Sequence, residues 1–258
     1  MTFIKRIHLE PFYTMPYKTA SSRGVPEPKQ LQFFQAYSED LPPQISSLVL
    51  TSDLQGREIG QKNRLLGCAL AEELEALHRQ GVIPYSCLVA ICGDLYPDCH
   101  KRGGTGPVDE VFFALNSICD QVVAVLGNHD ELADPISALP PNVSILDGET
   151  KTSLGICVGG VGGVIGDPKR YLRRTEEAFL QRLESVTAVA PDLLLLHQGP
   201  DDPANFRKGD PSIRLSLETG YAGLTVFGHT RWNDSPLIQL GDGQALNVDG
   251  RVIVVTPC

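Results

Sequence analysis

No apolar run in this chain approaches the roughly 18 residues that a membrane-spanning helix needs. The opening Met1-Thr2-Phe3-Ile4-Lys5-Arg6 lacks the sustained apolar stretch of a secretion signal. A soluble, cytoplasmic protein with no membrane partner is therefore expected. The seven cysteines are odd in number and scattered, several of them inside apolar runs, which argues against a disulfide framework and for reduced packing residues. Excess positive charge is missing too. With 22 Lys and Arg against 31 Asp and Glu the net charge is −9, so the molecule as a whole repels nucleic acid phosphates and a nucleic acid partner is not expected. Neither a linker nor an internal repeat is visible, and a chain of 258 residues can bury about three-quarters of its unfolded surface in one domain. The cluster Gly159-Gly160-Val161-Gly162-Gly163 fits neither a dinucleotide fingerprint nor a P-loop, and Pro168 follows too soon for a helix, so it reads as a bulged strand and turn. Prolines at 11, 16, 26, 28, 42 and 43 preclude long helices in residues 1–45. This segment reads as an extended arm packed on the core or against another subunit, ahead of a domain over 46–258.

What the chain does contain is a series of five short polar clusters, each ending an apolar run: Asp53-Leu54-Gln55, Gly93-Asp94 with Asp98, Gly127-Asn128-His129-Asp130, His197, and Gly228-His229-Thr230-Arg231. The runs before them, 47–50, 88–91, 122–126, 193–196 and 224–227, are four or five apolar residues long and stop at Gly or a polar residue, as buried strands do. Helical stripes fall between them at 61–80, 108–118 and 171–183, and residues 245–255 read as a closing hairpin with its turn at Asp249-Gly250. In open α/β sheets ligands sit outside the carboxyl ends of strands, so five polar ends can converge there. A single acidic residue after a strand is usually a turn former or a cap; five in series point to a site.

The chemistry of the set is that of a metal centre. Carboxylate, amide oxygen and neutral imidazole all suit Mn, Fe or Zn, and a carboxylate with two oxygens can bridge two ions, for which Asp94 is the natural choice. Two ions about 3.5 to 4 Å apart clamp a phosphoryl group and acidify water into a nucleophile at neutral pH.

The order and spacing of these clusters resemble the calcineurin-like metallophosphoesterases, whose pattern runs Asp-X-His, Gly-Asp-X-X-Asp, Gly-Asn-His-Asp/Glu, a lone His, then Gly-His-X-His. Gly93 to Asp98, Gly127 to Asp130, His197 and Gly228-His229 match as they stand, over roughly residues 48–231. The resemblance implies a four-layer αββα sandwich with the metal site at the strand ends. It also implies a second metal position formed by Asp94, Asn128, His197 and His229, and a first formed by Asp53, Asp94 and two histidines. Here those two are Gln55 and Arg231. An amide oxygen is a weaker ligand, and a guanidinium, always protonated, cannot bind a cation. One tight ion and a weak or empty first position are expected.

Arg231 reads in two ways, as a fork for phosphate oxygens beside Asn128 or as a structural partner of Asp53. By resemblance His129 is the general acid that protonates the leaving oxygen, with Asp130 placed to orient its imidazole. Asp98 reads as a brace, and Lys101, Arg102 and the glycines after them as a basic loop at the site edge. The implied reaction is metal-dependent hydrolysis of a small phosphate ester, with hydroxide generated at the metal attacking phosphorus. A noncatalytic protein-binding scaffold with a degenerate metal site, as in the retromer subunit of this fold, is the alternative that Gln55 and Arg231 support.

Overall fold

The computed structural model describes residues 3–20, 25–60, 62–97 and 104–258. Among these, nine strands form the larger sheet, in the order Val143–Ile145, Gln121–Ala124, Leu88–Ile91, Leu48–Ser52, Arg251–Pro257, Pro26–Ser38, Tyr13–Ala20 and Arg57–Glu58, with Arg6–Ile7 also paired to Pro26–Ser38. Six form the second sheet, in the order Glu149–Ser153, Ile156–Val161, Leu193–Gln198, Leu224–Gly228, Gly243–Asn247 and Leu237–Leu240.

Alternation along the strands explains the layering. Successive side chains point to opposite faces of a sheet. In Leu48–Ser52, Leu48 and Leu50 enter a core shared with Val158, Leu193, Leu195, Leu224 and Val226 of the second sheet. Val49 instead packs with Leu70, Leu74 and Leu77 of helix Leu66–Arg79 and with Val111 and Phe112 of helix Asp109–Asn116. On the far side, Leu194, Leu196 and Phe227 meet Phe179, Leu183, Ile213 and Leu217 of helices Glu176–Thr187 and Pro211–Gly220. Helix, sheet, sheet, helix is the expected four-layer sandwich. Because both faces of the central strands are buried, both residue sets are apolar and the strands read as unbroken hydrophobic runs.

Three sequence expectations are corrected in detail. Helix Glu176–Thr187 starts five residues later than residue 171, because Thr175 Oγ1 accepts from Ala178 N at 3.3 Å and caps it there. Helix Pro211–Gly220 went unread although its signal is plain: Asp210 Oδ1 accepts from the N–H groups of Ser212 and Ile213 at 2.9 and 3.0 Å, and Pro211 opens the helix. Finally, Asp249-Gly250 is not a hairpin turn. Gly243–Asn247 belongs to the second sheet and Arg251–Pro257 to the first, so these residues carry the chain from one sheet to the other.

Tyr13–Ala20 runs antiparallel to Pro26–Ser38, the two strands of a hairpin. Its long strand is parallel to Arg251–Pro257, which is in turn antiparallel to Leu48–Ser52. Strands Leu48–Ser52, Leu88–Ile91 and Gln121–Ala124 are mutually parallel, as are Leu193–Gln198 and Leu224–Gly228, so the polar clusters leave each sheet at one edge.

Candidate metal centre

At that edge the backbone turns sharply. Asp53, Asp94 and His229, each just past its strand, adopt positive φ of 55°, 55° and 65°. Non-glycine residues seldom take this region unless the surroundings enforce it, and here it turns three strand ends towards one another. Two glycines make the close approach possible. A Cβ on Gly127 would lie 2.1 Å from Asp94 Oδ1, and one on Gly228 would lie 2.2 Å from Asp53 Oδ2.

Asp94, buried, is the hub. Its Oδ1 accepts from the His129 backbone N–H at 3.1 Å and lies 3.4 Å from His197 Nε2; its Oδ2 accepts from Gln55 Nε2 at 3.0 Å and lies 3.9 Å from His129 Nε2. The rings of His197 and His229 stand 5.0 Å apart, and a ligand atom from each of Asp94, His197 and His229 falls within 4.8 Å of the others. Asp53 Oδ2 accepts from Ser52 Oγ at 2.7 Å and from His229 N at 2.8 Å, which ties the first cluster to the last.

Two buried atoms in this cluster make no hydrogen bond, Asn128 Oδ1 and His197 Nε2. The Nδ1 of His197 is 2.7 Å from the Cys92 carbonyl, which can only accept, so Nδ1 carries hydrogen and neutral His197 presents a lone pair at Nε2. An unpaired buried polar atom costs about 1 to 3 kcal/mol. Two such lone pairs beside a buried carboxylate fit a divalent cation.

Without a cation, protons offset the negative charge of the centre instead. Burial disfavours a charged His197, yet the Asp94 carboxylate beside it outweighs this and pushes its pKa up to about 10. Burial and the neighbouring His197 push His229 down to about 4. Asp53 is raised well above the usual carboxylate range by burial and by the Asp249 carboxylate. Burial also raises Asp249, against the pull of Arg231 and Arg251. A divalent cation would relieve this crowding of negative charge.

Not every expected residue takes its expected place. Asp130 does not orient the imidazole of His129. Its carboxylate lies beneath the site and accepts four backbone N–H groups, those of Asp94 and Gly127 at 2.7 and 2.9 Å and those of Leu95 and Tyr96 at 2.7 and 3.2 Å. Burial and the Asp94 charge nonetheless raise its pKa to about 6. The imidazole of His129 is set instead by the Gly104 carbonyl, 3.1 Å from Nδ1. Gln55 reaches Asp94, but with its amide nitrogen rather than an oxygen turned into the centre. Arg231 hydrogen-bonds the carbonyls of Gly250 and Asp249 at 3.0 and 3.4 Å and Gln32 Oε1 at 3.3 Å, so its bonds go to the sheet crossover and the hairpin instead of Asp53. Asp98, Lys101 and Arg102 lie outside the described residues.

A cleft of about 590 Å³ opens over the centre, lined by Asp53, Gln55, Asp94, His129, His229 and Arg231. Residues the sequence reading missed complete its walls: Tyr17, Thr19, Glu27 and Lys29 of the hairpin, and Asp249. Asp249 had a signal, since it follows the run Ala245 to Val248 just as the other acids follow theirs. A groove of about 630 Å³ between helices Glu176–Thr187 and Pro211–Gly220 holds none of the strand-end residues.

Among the described residues, no helix is long and apolar enough to cross a membrane. Residues 46–231 match the model of the calcineurin-like phosphoesterases. No curated protein matches the chain. Among solved structures, TT1561 of Thermus thermophilus is similar, at 17% identity and a TM-score of 0.56, over 79% of this chain and 89% of that one. The phosphopantetheinyl hydrolase PptH of Mycobacterium tuberculosis aligns at 14% identity and a TM-score of 0.45, over 79% and 88% of the two chains.

Proposed function

The chain belongs to the calcineurin-like phosphoesterase family, and from that premise we propose that it hydrolyses a phosphate ester, using a divalent cation held by Asp94, Asn128, His197 and His229. The observation that carries this reading is the pair of partnerless buried atoms, Asn128 Oδ1 and His197 Nε2, beside the Asp94 carboxylate. When bound, Mn, Fe or Zn would draw charge from the phosphoryl oxygens and acidify water. Asp53 and Asp94 offer a second, weaker position, where the Gln55 amide nitrogen is bonded to Asp94 Oδ2.

The remaining chemistry belongs to the chain. The Gly104 carbonyl keeps a hydrogen on His129 Nδ1, so the proton that His129 gives to the leaving oxygen comes from Nε2, which lies on the Asp94 side of the ring. Arg231, anchored on the carbonyls of Asp249 and Gly250, has N–H donors left for nonbridging oxygens at the cleft rim. Asp130 holds the loops of Asp94 and Gly127 together and so sets where His129 stands relative to the Asp94 carboxylate.

Metal-stripped protein titrated with Mn²⁺ on an aryl phosphate and its diester, alongside His129→Ala, tests the reading. Metal-dependent turnover that the substitution abolishes is the expected result, and the better substrate separates monoesterase from diesterase. The bond from Gln55 to Asp94, in which an amide takes the place of a first cation, favours a second reading as a noncatalytic protein-binding scaffold. Absence of turnover with any divalent metal in folded protein would select that one.

A further inference from the structure

The N-terminal hairpin presents one continuous face to the site. Its register sets Met15 opposite Leu31, Tyr17 opposite Lys29 and Thr19 opposite Glu27, and the period of two in a strand puts all six on the same side. That face begins in the core, where Met15 and Leu31 are buried, and runs out into the cleft, which Tyr17, Lys29, Thr19 and Glu27 line. The hairpin is fastened directly to the first polar cluster. The Tyr17 ring packs so closely on Gly56 that a Cβ there would come within 2.3 Å of it, and Thr19 Oγ1 donates to the Gln55 carbonyl at 2.7 Å. Tyr17 and Lys18 also pair with Glu58 and Arg57.

Charge is graded along the cleft. Its floor is anionic, with Asp53, Asp94 and Asp249, and takes the cation; its two lining cations, Lys29 and Arg231, stand at the exposed rim. Among the described residues Lys29 pairs with Glu27 alone, at 3.2 Å, and the two side chains are 49% and 44% exposed, so a stronger anion displaces Glu27 readily. At about 590 Å³ the cleft holds a ligand far larger than a phosphoryl group.

We propose that this hairpin face is the specificity wall of the site: Lys29 binds a second anionic group, a phosphate or a carboxylate, carried by the leaving group of the phosphoester, which lies against Tyr17. The inference rests on the phosphoesterase reading for the scissile phosphate, but its test needs no turnover. Calorimetric titration of Mn²⁺-loaded His129→Ala protein compares adenosine 3′,5′-bisphosphate with adenosine 5′-monophosphate, and 2-carboxyphenyl phosphate with phenyl phosphate. The doubly anionic member of at least one pair binds about tenfold tighter, adding Lys29→Ala removes that preference, and adding Lys29→Arg keeps most of it. Which pair shows the preference tells phosphate from carboxylate. Equal binding within both pairs, no binding of any of the four, or a preference that survives Lys29→Ala overturns the proposal. A wild-type protein that shows the preference yet hydrolyses nothing would sink the phosphoesterase reading and leave the wall standing.

Discussion

Gln55 Nε2 donates to Asp94 Oδ2 at 3.0 Å, where the family pattern would put a histidine turned towards a metal. One neutral amide N–H thus gives the buried carboxylate a hydrogen bond at the place where a cation would neutralise it.

Replacing Gln55 and Arg231 together by histidine restores the donors of the first position. Metal content by mass spectrometry should rise from about one ion per chain towards two, and aryl phosphate hydrolysis should rise with it. Unchanged stoichiometry with lower activity would mean that Arg231 serves the substrate directly.

Asn128→Leu separates folding from metal binding. Metal-free, the variant should be at least as stable as the parent, since a buried oxygen without a partner has gone. Saturating metal stabilises by about 2.7 kcal/mol at a hundredfold excess over Kd, or roughly 5 to 10 °C in Tm for a chain of this size. The parent should gain that shift with Mn²⁺ and the variant little of it; equal shifts in both would remove Asn128 from the ligand set.

Removing the Asp130 carboxylate orphans four backbone N–H groups at once. Asp130→Ala should cost at least about 3 kcal/mol in urea unfolding, at about 1 to 3 kcal/mol for each of the three fully buried donors, those of Asp94, Leu95 and Gly127. A loss under about 1 kcal/mol would show that water replaces the carboxylate and that the two loops hold without it.

A pH-dependent contribution comes from Arg64, which clamps Glu58, beside the site loop, to Glu72 of helix Leu66–Arg79. Hydrogen bonding to Arg64 lowers the Glu58 pKa from its ordinary 4.5. A carboxylate lowered on folding contributes stability above its unfolded pKa and loses it as pH falls through the folded one. Glu58→Gln should therefore cost up to about 1 kcal/mol at pH 7, and that cost should fade as pH drops below 4.5 through the lowered native pKa. A cost that is flat with pH would assign the effect to packing.

The central strands and the polar clusters were legible because burial on both faces leaves apolar runs, and because ligand-type residues stand out where those runs stop. The hairpin of Tyr13–Ala20 and Pro26–Ser38 was not, because its prolines pointed away from regular structure. Their placement explains how a sheet tolerates them. Among the described residues Tyr13–Ala20 has the short strand Arg57–Glu58 alone on its outer side, meeting it at Tyr17 and Lys18, so Pro16 sits where no strand needs its missing N–H. Pro26 and Pro28 precede Gln32, where pairing with Arg251–Pro257 begins, and therefore have a neighbour on one side alone. Asp249 was hidden by a different ambiguity, since Asp-Gly after an apolar run signals a tight turn as readily as a strand end. Only the assignment of the flanking strands to different sheets resolves it.

The strand Arg251–Pro257 lies between Leu48–Ser52 and Pro26–Ser38, segments made about 200 residues earlier. As the chain leaves the ribosome, the hairpin can reach the first polar cluster through the contacts of Tyr17, Lys18 and Thr19 with residues 55–58, but its long strand lacks its sheet partner until Arg251–Pro257 emerges. Closure of the sheet waits for long-range β pairing, the slow kind of folding step. A nascent chain halted before this strand would already carry Asp53, Asp94, Asn128, His197 and His229, yet would lack the strand that seats the hairpin against the sheet beside them.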